Sequence, residues 1–249
     1  MWGVVVAMSN FVARLFDNAR RRARWATAAL PQSCALCAAP CGNALVCSAC
    51  DAALPRLGVA CPCCALPSSA AAAGPAICGR CLVRPPPWGR ASAAFVYAYP
   101  LDRLVVALKY RGVLAYADYL ADALARRIDV RPDAIVAVPL SPARQRQRGF
   151  NQADEIARRL ARTHGVPLCH GLRRVVEAPA QAALGRRERV RNLRDAFVGL
   201  PALAGRRIAL VDDVLTTGAT LAAASRAARR AGADVAAAWV VARTLGAAS

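Results

Sequence analysis

Arg207-Ile-Ala-Leu-Val-Asp-Asp-Val-Leu-Thr-Thr-Gly-Ala-Thr-Leu221 reads, within one stretch, as strand, acidic pair, phosphate loop and helix. Ile208 to Val211 are apolar without alternation, the pattern of a strand buried on both faces of a parallel sheet. Ala219 to Ala231 have a helix-forming composition that stops at Gly232. Asp212 and Asp213 are expected where the strand ends, the usual ligand position in an open α/β sheet, where adjacent carboxylates accept hydrogen bonds from vicinal sugar hydroxyls. Thr216, Thr217, Gly218 and Thr220 follow with hydroxyls and free backbone N–H groups at a helix N-terminus, where the dipole and unpaired donors favour a phosphate. An acid pair for a diol followed by a phosphate cradle describes a holder of ribose 5-phosphate. The alternative is an acidic turn capped by threonine, with no ligand. A Walker-type loop is excluded, because the Gly-Lys-Ser/Thr ending is missing.

The whole stretch, four apolar residues, Asp-Asp, two apolar residues and Thr-Thr-Gly-Ala-Thr, resembles the phosphoribosyl pyrophosphate (PRPP) signature of the type I phosphoribosyltransferases. That resemblance assigns Asp212, Asp213, Val214, Leu215, Thr216, Thr217, Gly218, Ala219 and Thr220 to a PRPP site.

A chain of 249 residues has room for one ordinary domain and a small one, and 57% hydrophobic residues exclude disorder by composition. The net charge of +19 comes from 34 basic against 15 acidic residues, and the basic set contains a single lysine, Lys109. Such an excess favours phosphate-rich partners: nucleic acid, nucleotides or anionic membrane surfaces. A coding bias toward Arg and Ala accounts for the preference of Arg over Lys but not for the excess of charge. Residues 1–31 begin with an apolar run, Trp2 to Met8, too short to span a bilayer, followed by Arg20, Arg21, Arg22 and Arg24. A secretory signal has the opposite order, so this basic arm is either an amphipathic helix touching DNA or membrane, or a loosely ordered terminus. No function is assigned to it.

Ten of the eleven cysteines lie between residues 34 and 81, and eight of them form the Cys-x-x-Cys pairs Cys34/Cys37, Cys47/Cys50, Cys61/Cys64 and Cys78/Cys81. Each pair offers two thiolates to one side of a tetrahedral ion, so four pairs suit two structural Zn²⁺ sites. A disulfide framework would need an oxidising compartment. Sequential filling of the two sites is simplest, an interleaved one also fits the spacing, and Cys41 and Cys63 are left over. Few large apolar residues separate the pairs, so metal would hold this module together. The expected organisation is a basic arm (1–31), a double zinc ribbon (32–83), a stiff linker around Arg84-Pro-Pro-Pro-Trp88 (84–90) and an α/β domain (91–249).

In that α/β part, strands are expected over 94–99, 134–138, 208–211 and 235–241, and helices over 101–110, 116–127 and 153–163. A long loop over 139–152 carries Arg144, Arg146 and Arg148 into the ligand crevice, where they either neutralise a polyphosphate or are simply solvated. The polar, Arg-rich segment Arg173 to Phe197 suits a mobile loop whose Arg186, Arg187, Arg189 and Arg191 meet pyrophosphate or a nucleic-acid backbone. A short, solvated charged helix is the alternative there. His164, His170 and Cys169 stand apart from any cluster and are read as structural.

Lys109-Tyr-Arg-Gly112, Val138-Pro-Leu-Ser141, Arg148-Gly-Phe-Asn-Gln152, then Gln181, Leu184, Arg189, Asn192 and Phe197, then the PRPP stretch, follow in the order seen in ComF proteins. With the paired Cys-x-x-Cys ribbons, the chain resembles that family over residues 32 to 245. The resemblance implies a cytoplasmic protein, at the inner face of the membrane, that takes PRPP with Mg²⁺ and handles single-stranded DNA in competence beside a helicase or DNA-uptake proteins. If a reaction occurs, it is displacement of pyrophosphate from C1 of the ribose by a nitrogen nucleophile. Asp212 and Asp213 would hold the hydroxyls, Thr216 to Thr220 the 5-phosphate, and Lys109, Arg144 and Arg148 the pyrophosphate, with Asp213 a candidate base; Arg186, Arg187 and Arg189 would serve DNA. Salvage phosphoribosyl transfer and a non-catalytic PRPP sensor remain as competing readings, and the sequence names no acceptor.

Overall fold

The computed structural model describes residues 32–68, 74–175 and 196–245. The basic arm at 1–31 and most of the Arg-rich segment, including Gln181, Arg186, Arg187, Arg189 and Arg191, lie outside the described residues. The chain divides into two compact units, Met1–Ala53 and Leu54–Ser249. The first holds two tight cysteine turns and a short helix, α1 (Ser48–Ala52). Ser33 and Pro40 bridge across the first turn, and Val46 is its buried aliphatic residue.

The second unit begins with the other two Cys-x-x-Cys pairs and a short helix, α2 (Gly79–Val83). Then come β1 (Arg90–Val96), α3 (Leu101–Arg111), α4 (Ala115–Ala125) and β2 (Ala134–Ala137). They are followed by α5 (Pro142–Arg148), α6 (Gln152–His164), β3 (Leu172–Arg174), β4 (Phe197–Gly199), β5 (Arg207–Leu215), α7 (Ala219–Arg230) and β6 (Asp234–Arg243). Four strands make a parallel sheet in the order β1-β6-β5-β2, while β3 and β4 form a separate antiparallel pair.

The unbroken apolar runs explain the layering. A strand covered on both faces needs no polar alternation, and β2 is buried at every position while β6 is buried everywhere after Asp234. Val136, Ile208, Leu210, Ala238 and Val240 share one core cluster with Leu221, Ala224 and Ala228 of α7. The alternate residues Ile135, Ala209, Val211 and Trp239 are equally buried, and α4 and α6 pack against the sheet. Fully burying each Val, Leu or Ile among these side chains contributes about 1.5–3 kcal/mol.

Three expectations change. The loop of 139–152 contains α5: Ser141 caps it by accepting from the Arg144 N–H at 3.4 Å, Pro142 opens it, and Gly149 closes it at φ 74°. Proline is a breaker inside a helix but is well suited to its first turn, where its missing N–H has no partner to lose. β5 does not end before the acid pair; it runs on to Leu215, with Asp212 paired to Val240 and Val214 to Ala242. Ladder bonds use only the backbone, so carboxylates at the polar end of the sheet do not stop the pairing. β1 starts at Arg90 rather than Ala94, because its pairing with β6 begins at Ala237, before its own apolar run.

Candidate functional site

Two sets of four thiols are brought together, Cys34, Cys37, Cys47, Cys50 and Cys61, Cys64, Cys78, Cys81, each with all sulfurs within 4.8 Å of one another. Tetrahedral zinc–thiolate bonds of ~2.3 Å put neighbouring sulfurs about 3.8 Å apart. The Cys37–Cys47 and Cys64–Cys78 sulfurs lie at 3.8 Å and 3.7 Å. Backbone N–H groups point at the first sulfur of each set, from Cys47 to Cys34 Sγ at 3.4 Å and from Cys78 to Cys61 Sγ at 3.3 Å. Burial raises both thiols, but these N–H donors outweigh it and bring Cys34 and Cys61 down to about 6. Each set therefore offers a ready thiolate and fits a thiophilic divalent ion. The grouping is sequential. Cys41 stands aside, its thiol donating to the Ala44 carbonyl at 2.8 Å, and Cys63 belongs to neither set.

The second site is built where β5 turns into α7. Thr216 and Thr217 are exposed, Gly218 adopts φ 82°, and the Thr217 hydroxyl accepts from the Ala219 N–H at 3.3 Å. The first amides of a helix lack intrahelical acceptors. Here the N–H groups of Thr216, Thr217, Gly218, Thr220 and Leu221 meet no acceptor among the described residues. An anion set at this turn would satisfy them and gain from the helix dipole. Val214 is half-buried and Leu215 buried, so they serve the loop by packing.

Because successive residues of a strand face opposite ways, Asp212 and Asp213 do not point in the same direction. Asp213 is buried beneath the site, where its Oδ2 meets Lys109 Nζ and Gln152 Nε2, each at 2.9 Å. Gln152 in turn accepts from Arg148 at 3.0 Å, and the Arg148 guanidinium lies 4.9 Å from the centre of the Tyr110 ring. Asn151 caps α6 by accepting from Ala153, while its side-chain amide donates to the Val138 carbonyl at 3.0 Å. Phe150 sits against Gly112, the left-handed residue that ends α3. The Lys109-to-Gly112 and Arg148-to-Gln152 stretches, far apart in sequence, thus converge on one acid.

Asp212 is half-buried and is pushed up to about 7, first by desolvation and next by the Asp213 charge, with the Asp213 backbone N–H, which donates to Asp212 at 2.8 Å, and then Lys109 and Arg174 pulling the other way. Arg174 belongs to β3, so the two-stranded β3–β4 element stands on the Asp212 side. Of the expected loop arginines, Arg144 and Arg146 are exposed on α5, whereas Arg148 is held by Gln152 and Tyr110.

The site contains residues the sequence did not flag. Gln152 carried no chemical role in the sequence, being quoted only as part of a motif. Arg243 lies two residues beyond the expected strand 235–241, yet it closes β6, is buried and donates to the Cys64 carbonyl at 2.9 Å and to the Leu215 carbonyl at 2.7 Å. A lone arginine directly after eight apolar residues, Val235 to Ala242, was the available signal. Trp88, expected in a linker, is buried and donates from Nε1 to the Cys63 carbonyl at 2.8 Å.

With this geometry established, its relatives can be placed. The phosphoribosyl transferase domain family matches residues 104–247. DNA utilization protein YhgH of Salmonella typhimurium is 37% identical over 229 residues, covering 87% of this chain and 99% of that protein. Competence protein F of Haemophilus influenzae is 36% identical over 178 residues, 67% of this chain and 78% of that one. The chain belongs to the ComF family of phosphoribosyl transferase domain proteins. Among solved structures, the glutamine PRPP amidotransferase of B. subtilis aligns with 50% of this ComF-family chain and 25% of its own, at 19% identity and a TM-score of 0.36. That likeness is too slight to bear on function. No helix among the described residues is long and apolar enough to cross a membrane.

Proposed function

We propose that this ComF-family chain binds PRPP with Mg²⁺ at the β5–α7 turn and works in single-stranded DNA uptake or handling, on the cytoplasmic side of the membrane and beside helicase or DNA-uptake proteins. The observation that carries the reading is the set of unaccepted N–H groups of Thr216, Thr217, Gly218, Thr220 and Leu221, next to Asp212 and Asp213. The 5-phosphate sits on that row, and Asp212 takes the ribose hydroxyls or the Mg²⁺ that accompanies them. Mg²⁺ supplies charge neutralisation for the pyrophosphate. Asp213 keeps Lys109 and Gln152 in place from beneath. Zinc fills both Cys₄ sets.

DNA enters through charge. Arg111, Arg144 and Arg146 are exposed around the strand ends, with Tyr110 beside Arg148 as a surface on which a base can stack. The names DNA utilization protein and Competence protein F support this partner. One observation favours sensing over transfer: Asp213, the candidate base, is buried and its Oδ2 is taken by Lys109 and Gln152, so only Oδ1 is left to accept a proton.

Calorimetric titration of the zinc-loaded chain with PRPP and Mg²⁺, with and without single-stranded DNA, tests the proposal. Saturable binding that changes when DNA is present supports it. Absence of PRPP binding under both conditions removes it and leaves the loop as inherited scaffold.

A further inference from the structure

The chemistry of a phosphate loop is usually sought on the side that faces the ligand. Here the opposite side is equally organised. Arg243, at the end of β6, is 3% exposed, and among the described residues no carboxylate pairs with it. Two of its three guanidinium nitrogens donate to carbonyls. Nε donates to Cys64 at 2.9 Å, and one terminal nitrogen donates to Leu215 at 2.7 Å, to Thr244 at 2.9 Å and, more tightly, to Thr216.

A second side chain repeats the connection. Trp88 Nε1 donates to the Cys63 carbonyl at 2.8 Å, and the far edge of its indole lies 3.2 Å from the position a Cβ would take on Gly218. Cys63 and Cys64 are consecutive residues of the turn that carries the second thiol set. Two neighbouring peptide groups of one cysteine turn are thus each joined, by one buried side chain, to residues 215–218 of the loop.

The direction of those bonds matters. A peptide presents its C=O and N–H on opposite sides. Carbonyls of Leu215 and Thr216 drawn inward to a buried cation leave the amides of Thr216 and Thr217 facing outward, the orientation an anion requires. The carbonyls of Cys63 and Cys64 can hold Arg243 and Trp88 only while their turn keeps its shape. Four thiolates on one divalent ion fix that shape and add net negative charge beside the buried guanidinium.

We infer that the Cys61, Cys64, Cys78, Cys81 centre is a structural part of the phosphate loop, and that Arg243, with Trp88, is the positioning residue through which bound metal sets the 5-phosphate cradle. The inference rests on the proposed PRPP site for its ligand, though not for its mechanics.

The test uses the full-length zinc-loaded chain and the variants Arg243→Met, Arg243→Lys and Trp88→Phe. Zinc is counted, amide hydrogen exchange is followed over residues 214–222, and PRPP, ribose 5-phosphate and pyrophosphate, each with Mg²⁺, are titrated. Arg243→Met should retain both zinc ions, lose protection at 214–222 ahead of β2 and α6, and weaken ribose 5-phosphate and PRPP roughly ten- to a hundredfold, the scale of lost hydrogen bonds to a charged group. Pyrophosphate affinity should stay unchanged, which a general loss of structure would not allow. Lysine should recover part of the loss, and Trp88→Phe should raise exchange at Ala222, whose N–H is bonded to the Gly218 carbonyl at 2.8 Å.

Cys81→Ser combined with Arg243→Met should be non-additive, because both lesions act through one connection. If Arg243→Met leaves both exchange and phosphate affinity unchanged while the parent chain binds PRPP, the inference fails and the PRPP reading stands. If the parent chain does not bind PRPP, that reading fails, and the exchange data alone decide: protection that ignores zinc removal and Arg243 overturns the connection, and protection that follows both sustains it.

Discussion

Replacing Asp212 by Asn should stabilise the unliganded protein while damaging its ligand site, and the gain should grow with pH. A carboxyl raised by burial and by the Asp213 charge prefers its protonated form in the folded chain. The unfolded chain has no such preference. Ionised Asp212 therefore opposes folding, so that stability falls from about pH 4 up to about pH 7 and levels off above. The gap between about 7 and the 3.8 of an unperturbed Asp spans about three pH units, and at 1.36 kcal/mol each the limit is about 4 kcal/mol. Asp212 is only half-buried, so solvent screening brings the expected gain down to about 1–3 kcal/mol at pH 8. At pH 5 the gain should shrink to under about 1 kcal/mol, because the wild-type carboxyl is then protonated. Urea unfolding of both proteins between pH 5 and pH 8, with zinc in the buffer, reads this difference directly. A gain that is constant across the range, or a loss of stability, would show that Asp212 is not held above the usual carboxylate range. PRPP affinity should fall in the same variant, the exchange of stability for function expected of a strained site acid.

Two further outcomes follow from the same geometry. Lys109→Met strands the buried Asp213 carboxylate, whose remaining partner is Gln152, and should cost about 3 kcal/mol in urea unfolding at pH 7.5; a cost below about 0.5 kcal/mol would show that the ion pair is not a fixed part of the fold. Gly218→Ala places a side chain at φ 82° with its Cβ 3.2 Å from Trp88, so it should cost about 1–2 kcal/mol and weaken PRPP binding; unchanged thermal unfolding and affinity would show that the turn has room to shift.

The apolar runs at Ile208 to Val211 and Val235 to Val241 announced a buried parallel sheet, because strands covered on both faces have no polar positions to alternate. The four Cys-x-x-Cys pairs announced the two four-thiol sets for a similar reason: two thiols three residues apart already share one turn. The helix over 142–148 was missed because Pro142 was read as a loop residue rather than as the opening of a helix behind Ser141. The extent of β5 was missed because acidity was taken as a strand end, whereas its ladder with β6 runs on to Leu215.

The residues proposed to hold the ligand could be singled out in the sequence, but not the supports beneath them. Thr216 to Thr220 and the acid pair could be read locally, since a phosphate cradle is made by consecutive amides at a helix start. That Lys109, Arg148 and Gln152 converge on Asp213, and that Arg243 and Trp88 join a cysteine turn to Leu215, Thr216 and Gly218, was decided only by the fold. Local composition fixes which groups a turn can offer, because it depends on neighbours along the chain. Which buried charge meets which carbonyl depends on how strands and helices stack, and that is set by the packing of the whole core.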